Sequence, residues 1–570
     1  MPATPVSVSE ATARALLNAG VEQFFGLMGN GNAFFVDAVE RLAGGVVPVR
    51  HEVATVASAD AYYRVTRRPA VATVTYGAGF TNTLTALAEA AQARIPLVLV
   101  AGDAPTTGPR PWDIDQAASA AALDVQTVTL GPDDAAPATR EALAEAVEQR
   151  RPIVLAIPYD LANTPCTEAG REGLDGTDAL PAGGATSLRA PGADALELPR
   201  EEAEWIADAL AQASRPLILA GRGARGAEAD LRALAAELRA DVATTAPAQG
   251  TFHTESPAGW RNLGVCGGFA APGSSEALRE ADVVLVVGAG LNQFTMSFGQ
   301  SFGEHARVLQ IDLAEQPTHA RVDELFTADA AQAAAAVRSA FEGLVGEVCD
   351  GRAEAETGAD GVVDPAARDE GRELAEDGRL DPRSLMTRID RALPRERVVM
   401  TDGGHFLEWP VTYLTVDGPD QMLTVGTQYQ SIGLGFPSAP GVIAAAGDRI
   451  TVLVSGDGGG LMGIADAETF VRTARRGVII MMNDAAYGAE VHQYGSRGLA
   501  EAPMLIPEVD FAGIFAALGT QASTVRTLED LEDFEQWAAA GAEGVYALDC
   551  RISNQVMALH MHEVLAQATK

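Results

Sequence analysis

The chain contains few cysteines, few basic residues and no long apolar segment. Its 570 residues include four cysteines, at 166, 266, 349 and 550, and the absence of any C-x-x-C pair argues against a disulfide framework or a cysteine-ligated zinc site. Lysine and arginine total 41 against 77 aspartates and glutamates, and the net charge of -36 disfavours nucleic acid or an anionic membrane as a partner. No apolar run reaches the roughly 20 residues of a membrane-spanning helix, and no signal peptide is recognisable. We therefore expect isolated buried thiols and a location in a reducing cytoplasm.

Short apolar runs alternate with alanine-rich stretches along the whole chain. The runs are continuously apolar, which is typical of parallel strands that are buried on both faces. With helices between them, they predict an α/β fold built on parallel sheets. The runs predicted as strands are 71–76, 96–101, 153–158, 216–220, 282–288, 307–311, 397–401, 450–455, 477–482 and 545–549.

Two stretches interrupt this alternation and are predicted to be linkers. Residues 164–198 are rich in glycine, proline and alanine, and residues 346–381 are acidic without apolar periodicity. They divide the chain into three α/β domains, each with a doubly wound parallel sheet, at residues 1–165, 199–345 and 382–570.

The most specific pattern lies in the third predicted domain. The strand at 450–455 is followed by GDGGG at 456–460, and the next strand is followed by Asn483 and Asp484. Neighbouring parallel strands would place Asp457 and this second pair at the same sheet edge. The glycines would let the backbone approach a phosphate, and a hard cation with oxygen ligands would join the carboxylates to it. GDG alone is a common turn, so the second acidic site gives the pattern its specificity.

This pattern resembles the superfamily of enzymes that depend on thiamine diphosphate (ThDP), such as pyruvate decarboxylase, benzoylformate decarboxylase and acetohydroxyacid synthase. The resemblance implies that Asp457, Asp484 and the main-chain carbonyl of Ala486 bind Mg2+. The family usually has Asn where this chain has Asp484, and Asn483 remains an alternative ligand. Further residues implied to contact the cofactor are Gly456, Gly458, Gly459 and Tyr487.

A second match lies in the first predicted domain. Glu52 follows a histidine as in the family, and GAGFTN at 77–82 resembles the family's GPGATN turn. A lone glutamate is usually a solvated surface residue, but its place beside this turn favours a catalytic role. The resemblance implies that Glu52 hydrogen-bonds to the pyrimidine N1′ of ThDP and thereby promotes loss of the C2 proton, while Gly79 and Asn82 contact the cofactor. It also implies that Glu52 and the metal reach one cofactor from different subunits, so we expect an obligate homodimer or a homotetramer.

Two other loops of the third domain resemble family segments. In SIGLGFPSAPG at 431–441, Ile432 would wedge between the two rings of the cofactor, and the carbonyl of Gln430 would face the pyrimidine amino group. His405 matches a position that contacts the diphosphate in acetohydroxyacid synthase. An ordinary core isoleucine and a structural loop histidine are the alternatives.

Three residues, Glu490, His492 and Gln116, are candidates for substrate-side roles. Glu490 follows the metal motif, where a glutamate in pyruvate decarboxylases relays protons, and His492 could share its pocket; a surface glutamate and a structural histidine are the alternatives. Gln116 lies near a position that is Gln in acetohydroxyacid synthases. Asn30 stands where pyruvate decarboxylases have a titratable acid. Both positions disfavour a plain pyruvate decarboxylase.

The middle domain carries glycine-rich turns at 221–226 and 286–292, which resemble the family's central domain. That domain binds FAD in some members and CoA or ADP in others. Arg222 and Arg225 could meet a nucleotide phosphate, although a solvated loop is the simpler interpretation. The segment GAGLNQ lacks the third glycine of a dinucleotide fingerprint, so an NAD-type dehydrogenase is not expected.

These observations predict a ThDP- and Mg2+-dependent enzyme that cleaves or forms carbon–carbon bonds. We expect an acetolactate-synthase-like decarboxylase or carboligase acting on a small 2-oxo acid. The alternative is a 2-hydroxyacyl-CoA lyase or oxalyl-CoA decarboxylase with Glu490 as proton relay. A non-catalytic paralogue would be marked by loss of Glu52 or of the metal carboxylates, and both are present.

Overall fold

The computed structural model describes residues 5–174, 196–252, 260–344 and 364–568. Within these residues the chain forms three parallel six-stranded sheets flanked by helices, which confirms the predicted α/β fold. Each sheet is built from one of the three predicted domain ranges, whose limits stay predictions. Residues 175–195 of the first predicted linker and 346–363 of the second lie outside the described residues. No described helix is both long and apolar enough to cross a membrane.

The first sheet lies between two layers of helices. In chain order, its elements are α1 (Val8–Asn18), β1 (Phe24–Gly26), α2 (Ala33–Ala43), β2 (Val47–Pro48), α3 (Val53–Thr66), β3 (Val71–Val74), α4 (Ala78–Thr81), α5 (Leu84–Gln92), β4 (Leu97–Asp103), α6 (Gln116–Ala121), β5 (Gln126–Thr129), α7 (Ala135–Gln149) and β6 (Pro152–Pro158). The strand order is β2-β1-β3-β4-β6-β5. Apolar side chains of α1, α2 and α7 cover one face, and those of α3 and α5 cover the other.

The central sheet is doubly wound. Its elements are α8 (Arg200–Gln212), β7 (Pro216–Ala220), α9 (Glu228–Leu238), β8 (Asp241–Thr244), β9 (Asn262–Val265), α10 (Pro272–Glu280), β10 (Val283–Val287), β11 (Arg307–Asp312), β12 (Glu324–Thr327) and α11 (Ala330–Glu342). The strand order is β12-β11-β10-β7-β8-β9, so the order reverses between β7 and β10. Ligands of doubly wound sheets bind outside the carboxyl ends of the strands at such a reversal.

The third sheet repeats the connectivity of the first. Its elements are α12 (Pro382–Ala392), β13 (Arg397–Thr401), α13 (Glu408–Tyr413), β14 (Met422–Thr424), α14 (Gly435–Ala446), β15 (Ile450–Gly456), α15 (Asp457–Gly463), α16 (Ala467–Thr473), β16 (Arg476–Asn483), α17 (Gly488–Gln493), α18 (Phe511–Ala517), β17 (Gln521–Val525), α19 (Glu532–Ala539), β18 (Gly544–Arg551) and α20 (Leu559–Ala568). The strand order is β14-β13-β15-β16-β18-β17, with a reversal between β13 and β15.

Every strand that the sequence predicts is present, with ends that differ by a residue or two. The strands that the sequence misses are short or lie towards the sheet edges. β5 and β17, for example, are edge strands with exposed residues, so they lack a continuous apolar run. The thiols of Cys166, Cys266 and Cys550 are free and buried, as predicted, and Cys349 lies outside the described residues.

The first and third domains pack through α3 and α14. The hydroxyl of Ser58 on α3 donates to the carbonyl of Pro437 on α14 at 2.8 Å. At Gly441, a Cβ would lie only 1.9 Å from the main-chain oxygen of Ser58. A side chain at this position cannot be accommodated without moving one helix, so Gly441 sets how closely the two domains approach.

Replacing Gly441 with alanine is therefore expected to destabilise the protein by about 1–3 kcal/mol, which is typical of overpacking. The midpoint of denaturant unfolding measures the effect. The matched control is Gly45→Ala, because Gly45 has open space around its Cβ position and no positive φ; its effect should stay within about 0.5 kcal/mol. Equal midpoints for the two variants would contradict the close contact of α3 and α14.

Candidate active site

The carboxyl edge of the third sheet carries the residues of the predicted metal motif. β15 and β16 are neighbouring parallel strands, and Gly456 lies beside Met482 in their register. Asp457 therefore starts α15 at the edge where Asp484 follows β16. This edge adjoins the reversal of strand order between β13 and β15, where open α/β sheets bind ligands.

Both carboxylates at this edge are buried. Asp457 is 3% exposed, and its Oδ1 accepts the N–H of Gly458 at 2.9 Å. No residue of the described chain donates a hydrogen bond to its Oδ2. Asp484 Oδ1 accepts the N–H of Ala486 at 3.1 Å. Burial raises the pKa of Asp457 to about 6, while burial and then the charge of Asp457 raise the pKa of Asp484 well above its usual value.

This arrangement fits a divalent cation. Two buried carboxylates repel each other, and a proton or a cation must compensate their charge. Oxygen atoms are the ligands that Mg2+ prefers, and Mg2+ commonly takes one or two carboxylates and completes its shell with phosphate and water. The described residues contain no group of three or more His, Cys, Asp or Glu side chains suited to a metal. The carbonyl of Ala486, a bound diphosphate and water would therefore have to supply the remaining ligands.

The contacts of Asn483 involve only the nitrogen of its side-chain amide. It is the last residue of β16 and is completely buried. Its Nδ2 donates to Asp549 Oδ1 at 2.9 Å and to the carbonyl of Val509 at 3.2 Å. Its Oδ1, the atom that would bind a metal, has no hydrogen-bond partner among the described residues, so Asn483 stays an alternative ligand.

The glycines of the GDGGG segment are required by close packing. A Cβ on Gly458 would lie 2.6 Å from the ring of Tyr487, and a Cβ on Gly459 would lie 2.7 Å from Asp402 Oδ2. A Cβ on Gly456 would lie 2.9 Å from the ring of Phe406. These positions bring Tyr487 and Asp402 directly against the segment that carries Asp457.

Asp402 is a structural centre of the site that the sequence analysis missed. It is completely buried, and its carboxylate accepts the N–H groups of Gly403 at 2.8 Å and Gly433 at 3.0 and 3.1 Å. Burial raises its pKa to about 6. Asp402 thereby connects the loop after β13 with the loop that precedes α14. The sequence signal that could have indicated Asp402 is the segment TDGG, at the end of a predicted strand.

His405 is a buried histidine at the border of the site. Its Nε2 accepts the N–H of Ala558 at 3.0 Å, so Nδ1 carries the proton of the neutral ring. Burial, together with the charges of neighbouring histidines that include His492, lowers its pKa well below the usual value. His405 lines the cavity, and the Nδ1–H of its neutral ring could donate to a phosphate. The diphosphate contact stays a prediction.

Ile432 was predicted either to wedge between the cofactor rings or to be an ordinary core residue. The side chain is 38% exposed and lines a cavity, so it is not an ordinary core isoleucine. Gln430, on the same cavity wall, adopts a left-handed conformation with φ 60°. Both features are compatible with residues that meet a ligand.

Glu52 and the GAGFTN turn lie together in the first domain. Glu52 immediately precedes α3, and its Oε2 accepts a hydrogen bond from Asn82 Nδ2 at 2.9 Å. The Cβ position of Gly79 lies 3.6 Å from Glu52 Oε1. The fold thus places Glu52, Gly79 and Asn82, which are distant in sequence, at one site.

Gln116 is buried and hydrogen-bonded at both ends of its side-chain amide. It is 3% exposed, and its Oε1 accepts the N–H of Gly77 at 2.7 Å. Its Nε2 donates to the carbonyl of Gly102 at 2.9 Å and to Asp103 Oδ1 at 3.1 Å. These contacts hold the start of the GAGFTN turn, and the substrate-side role of Gln116 stays a prediction.

Glu490 and His492 lie on α17 but differ in environment. Glu490 is exposed, and its proton-relay role stays a prediction. His492 is buried against His405, with ring centroids 4.7 Å apart, and burial lowers its pKa. Within the described residues His492 Nε2 has no hydrogen-bond partner. The role of His492 beside Glu490 stays a prediction.

A cavity of about 680 Å³ joins the three domains. Its wall includes the glycine turns that follow β7 and β10, at the strand reversal of the central sheet. At the other end, the wall includes Gly404, His405, Gln430 and Ile432. One continuous space therefore connects the central sheet with the candidate cofactor loops.

Two arginines of the cavity wall, Arg222 and Arg225, are hydrogen-bonded to the first domain and do not lie in a solvated loop. Arg222 Nη2 donates to the carbonyl of Ala93 at 2.6 Å, and Arg225 Nη1 donates to the carbonyl of Arg64 at 2.8 Å. Burial, and then the charge of Arg64, lowers the pKa of Arg222 to about 10. Both side chains bridge the central and first domains, and they add positive charge to the cavity.

Sequence profiles of one enzyme family match the chain in three consecutive segments. Residues 6–128 match the N-terminal TPP binding domain of thiamine pyrophosphate enzymes, residues 203–337 match their central domain, and residues 402–550 match their C-terminal TPP binding domain. Thiamine pyrophosphate is another name for ThDP. The matches together cover most of the chain.

Individual relatives span nearly the whole length. The sulfoacetaldehyde acetyltransferase of Castellaniella defragrans is 28% identical, with 92% of this chain and 89% of that protein covered. The acetolactate synthase large subunit of Mycobacterium tuberculosis is also 28% identical, with 95% and 96% covered. The solved structure of a ThDP-dependent 4-hydroxybenzoylformate decarboxylase from Rhodococcus jostii superposes with a TM-score of 0.77 at 20% identity, covering 96% of this chain and 99% of that one. This last similarity shows a shared fold.

Proposed function

Because the chain belongs to the thiamine pyrophosphate enzyme family, we propose that it uses ThDP and Mg2+ to cleave or form the carbon–carbon bond beside the carbonyl of a small 2-oxo acid, as acetolactate synthase does. The observation that carries the proposal is the pair of buried carboxylates, Asp457 and Asp484, at the strand reversal of the third sheet. The assembly of Glu52 with Asn82 in the first domain supports it. ThDP supplies a carbon nucleophile that adds to the substrate carbonyl.

Each candidate residue then has a physical task. Asp457, Asp484 and the Ala486 carbonyl hold the metal, and His405 and Tyr487 border the diphosphate. The carbonyl of Gln430 and the side chain of Ile432 orient the two rings. Glu52 holds a proton at the pyrimidine N1′, and the hydrogen bond from Asn82 keeps its carboxylate in place. Glu490 moves a proton to or from the substrate.

We further propose that the protein is an obligate homodimer, which assembles into a homotetramer, and that it is located in the cytoplasm. Large apolar side chains are exposed in the loops beyond the strands of the first sheet, such as Met28 and Trp112, and beside the site of the third sheet, such as Met462 and Leu505. Exposed apolar surface at these positions supports an interface between copies of the chain. Such an interface would bring Glu52 of one subunit to the metal site of the other.

The cavity favours one second candidate, a 2-hydroxyacyl-CoA lyase or oxalyl-CoA decarboxylase. The space is continuous from the glycine turns of the central sheet to Ile432, and Arg222 and Arg225 contribute positive charge to its wall. A CoA thioester could place its nucleotide at the central sheet and its acyl group at the cofactor. ADP or FAD would use the same nucleotide position.

Product identification tests both candidates. The protein is incubated with ThDP and Mg2+ and with one of two substrate sets, and the products are identified by mass spectrometry. One set contains 2-oxo acids, pyruvate among them, and the other contains oxalyl-CoA and short 2-hydroxyacyl-CoA thioesters. Carbon dioxide with an aldehyde or acyloin supports the decarboxylase–carboligase. Formyl-CoA with an aldehyde or ketone assigns the CoA lyase instead, and no turnover of either set contradicts both.

A further inference from the structure

The loop that carries Gln430 and Ile432 is anchored by a carboxylate from another domain. Glu89 lies on α5 of the first domain and is 2% exposed. Its Oε2 accepts the N–H of Gln428 at 3.0 Å and the N–H of Tyr429 at 2.7 Å. These two amides immediately precede Gln430, so a buried negative charge fixes the backbone next to the residue that is expected to face the pyrimidine.

Arg64 of α3 completes this anchor. Its Nη2 donates to Glu89 Oε1 at 2.9 Å, and its Nη1 donates to the carbonyl of Thr424 at 3.1 Å, where β14 ends and the loop begins. Asp60 pairs with the same guanidinium. The three charged side chains are at most 5% exposed. Charge-assisted hydrogen bonds in such a dry environment are stronger than exposed ones.

The conformation of the loop explains why an external anchor is needed. Gln430 adopts φ 60°, a left-handed conformation that side-chain-bearing residues rarely adopt. The loop closes on itself through the hydrogen bond from Ser431 N to the carbonyl of Gly426 at 2.9 Å. Its far end is held by Asp402, which accepts the N–H of Gly433. Strained conformations persist at functional sites only where the surroundings determine them, and Glu89 supplies that constraint on the near side.

We propose that Glu89 is a positioning residue for the cofactor. Before ThDP binds, Glu89 already holds the loop in the conformation in which Gln430 and Ile432 would face it. The inference rests on the proposed function, because it takes ThDP as the ligand of this loop. Glu89 acts entirely through the backbone amides and through Arg64. A preset loop lowers the entropic cost of binding, so loss of the anchor should weaken cofactor affinity as well as turnover.

The variant Glu89→Gln in the full-length protein tests the proposal. It keeps the size of the side chain but removes the charge, and at saturating Mg2+ the dissociation constant of ThDP in titration calorimetry should rise about tenfold or more. The matched control is Asp390→Asn. Asp390 also pairs with a buried arginine, Arg397, and accepts a backbone N–H, from Thr415 at 2.9 Å, but it does not contact the cofactor loop. Its ThDP affinity should stay within about twofold of the wild type.

A measurement on the wild-type protein without cofactor does not depend on the folding of the variant. Hydrogen exchange followed by mass spectrometry should show the amides of Gln428 and Tyr429 protected, since both donate to a buried carboxylate. Rapid exchange of these amides, or unchanged ThDP affinity of Glu89→Gln, overturns the proposal. An equal loss of affinity in Asp390→Asn also overturns it. If the wild type itself binds no ThDP, the proposed function fails, and the positioning role fails with it.

Discussion

Replacing Glu52 with glutamine is expected to lower kcat about 10²–10⁴-fold, the usual contribution of a positioned acid–base group. The amide of glutamine can still hydrogen-bond to the pyrimidine, but it cannot take and return a proton at N1′. Because the metal and the cofactor loops supply most of the anchoring, ThDP affinity should remain close to that of the wild type. Steady-state turnover and titration calorimetry, on the same preparation, separate these two effects.

The matched control for this variant is Glu22→Gln. Glu22 also lies in the first domain, but its side chain is 61% exposed, in a surface ion pair with Arg68. Exposed pairs contribute little to stability, so this variant should behave as the wild type in both measurements. Near-normal turnover of Glu52→Gln would remove Glu52 from the catalytic role.

Replacing Asp457 with alanine is expected to abolish the Mg2+-dependent binding of ThDP. The variant lacks one carboxylate ligand, and the remaining charge of Asp484 would then repel an uncompensated diphosphate. Titration calorimetry of ThDP with and without Mg2+ measures the loss. Without metal, the variant should unfold at a temperature close to that of the metal-free wild type, because removal of the unpaired Oδ2 offsets loss of the hydrogen bond from Gly458.

Asp484→Asn is the informative companion variant. Its amide oxygen remains a competent metal ligand, so we expect Mg2+-dependent ThDP binding to be retained while one buried negative charge is lost. Asp448→Asn, at an exposed position in the same domain, serves as the neutral control. ThDP affinity of Asp457→Ala equal to that of the wild type would contradict the metal assignment.

Some parts of the site could be predicted from sequence because their signals are local. The apolar strand and the GDGGG segment that follows it are adjacent in sequence, and the second carboxylate, Asp484, directly follows the next strand. Glu52 was found by its place beside GAGFTN, which the structure shows to be a spatial neighbour. Most inner strands were found for the same reason, since a buried strand has a continuous apolar run, whereas the inner strands β1 and β8 have only three and four residues and were missed.

Other parts depend on contacts between distant segments, which no local pattern reveals. The contact of Glu89 with Gln428 joins two domains, and α5 shows no motif that singles Glu89 out. Gln116 was assigned to the substrate because of its position in the family, and the contact of its amide with the start of the GAGFTN turn was not predicted. Arg222 was interpreted as solvated because it lies in a glycine-rich turn, but the packing of the central domain against the first domain buries it in part.

The exchange rate of the C2 proton of ThDP bound to the wild-type protein is the most direct test of the central claim. The complex with Mg2+ is transferred to D2O, quenched at successive times in acid, and analysed by NMR. We predict exchange much faster than in free ThDP, and a return towards the free rate in Glu52→Gln. Exchange at the free rate in the wild type, with ThDP demonstrably bound, would contradict an enzyme that activates this cofactor.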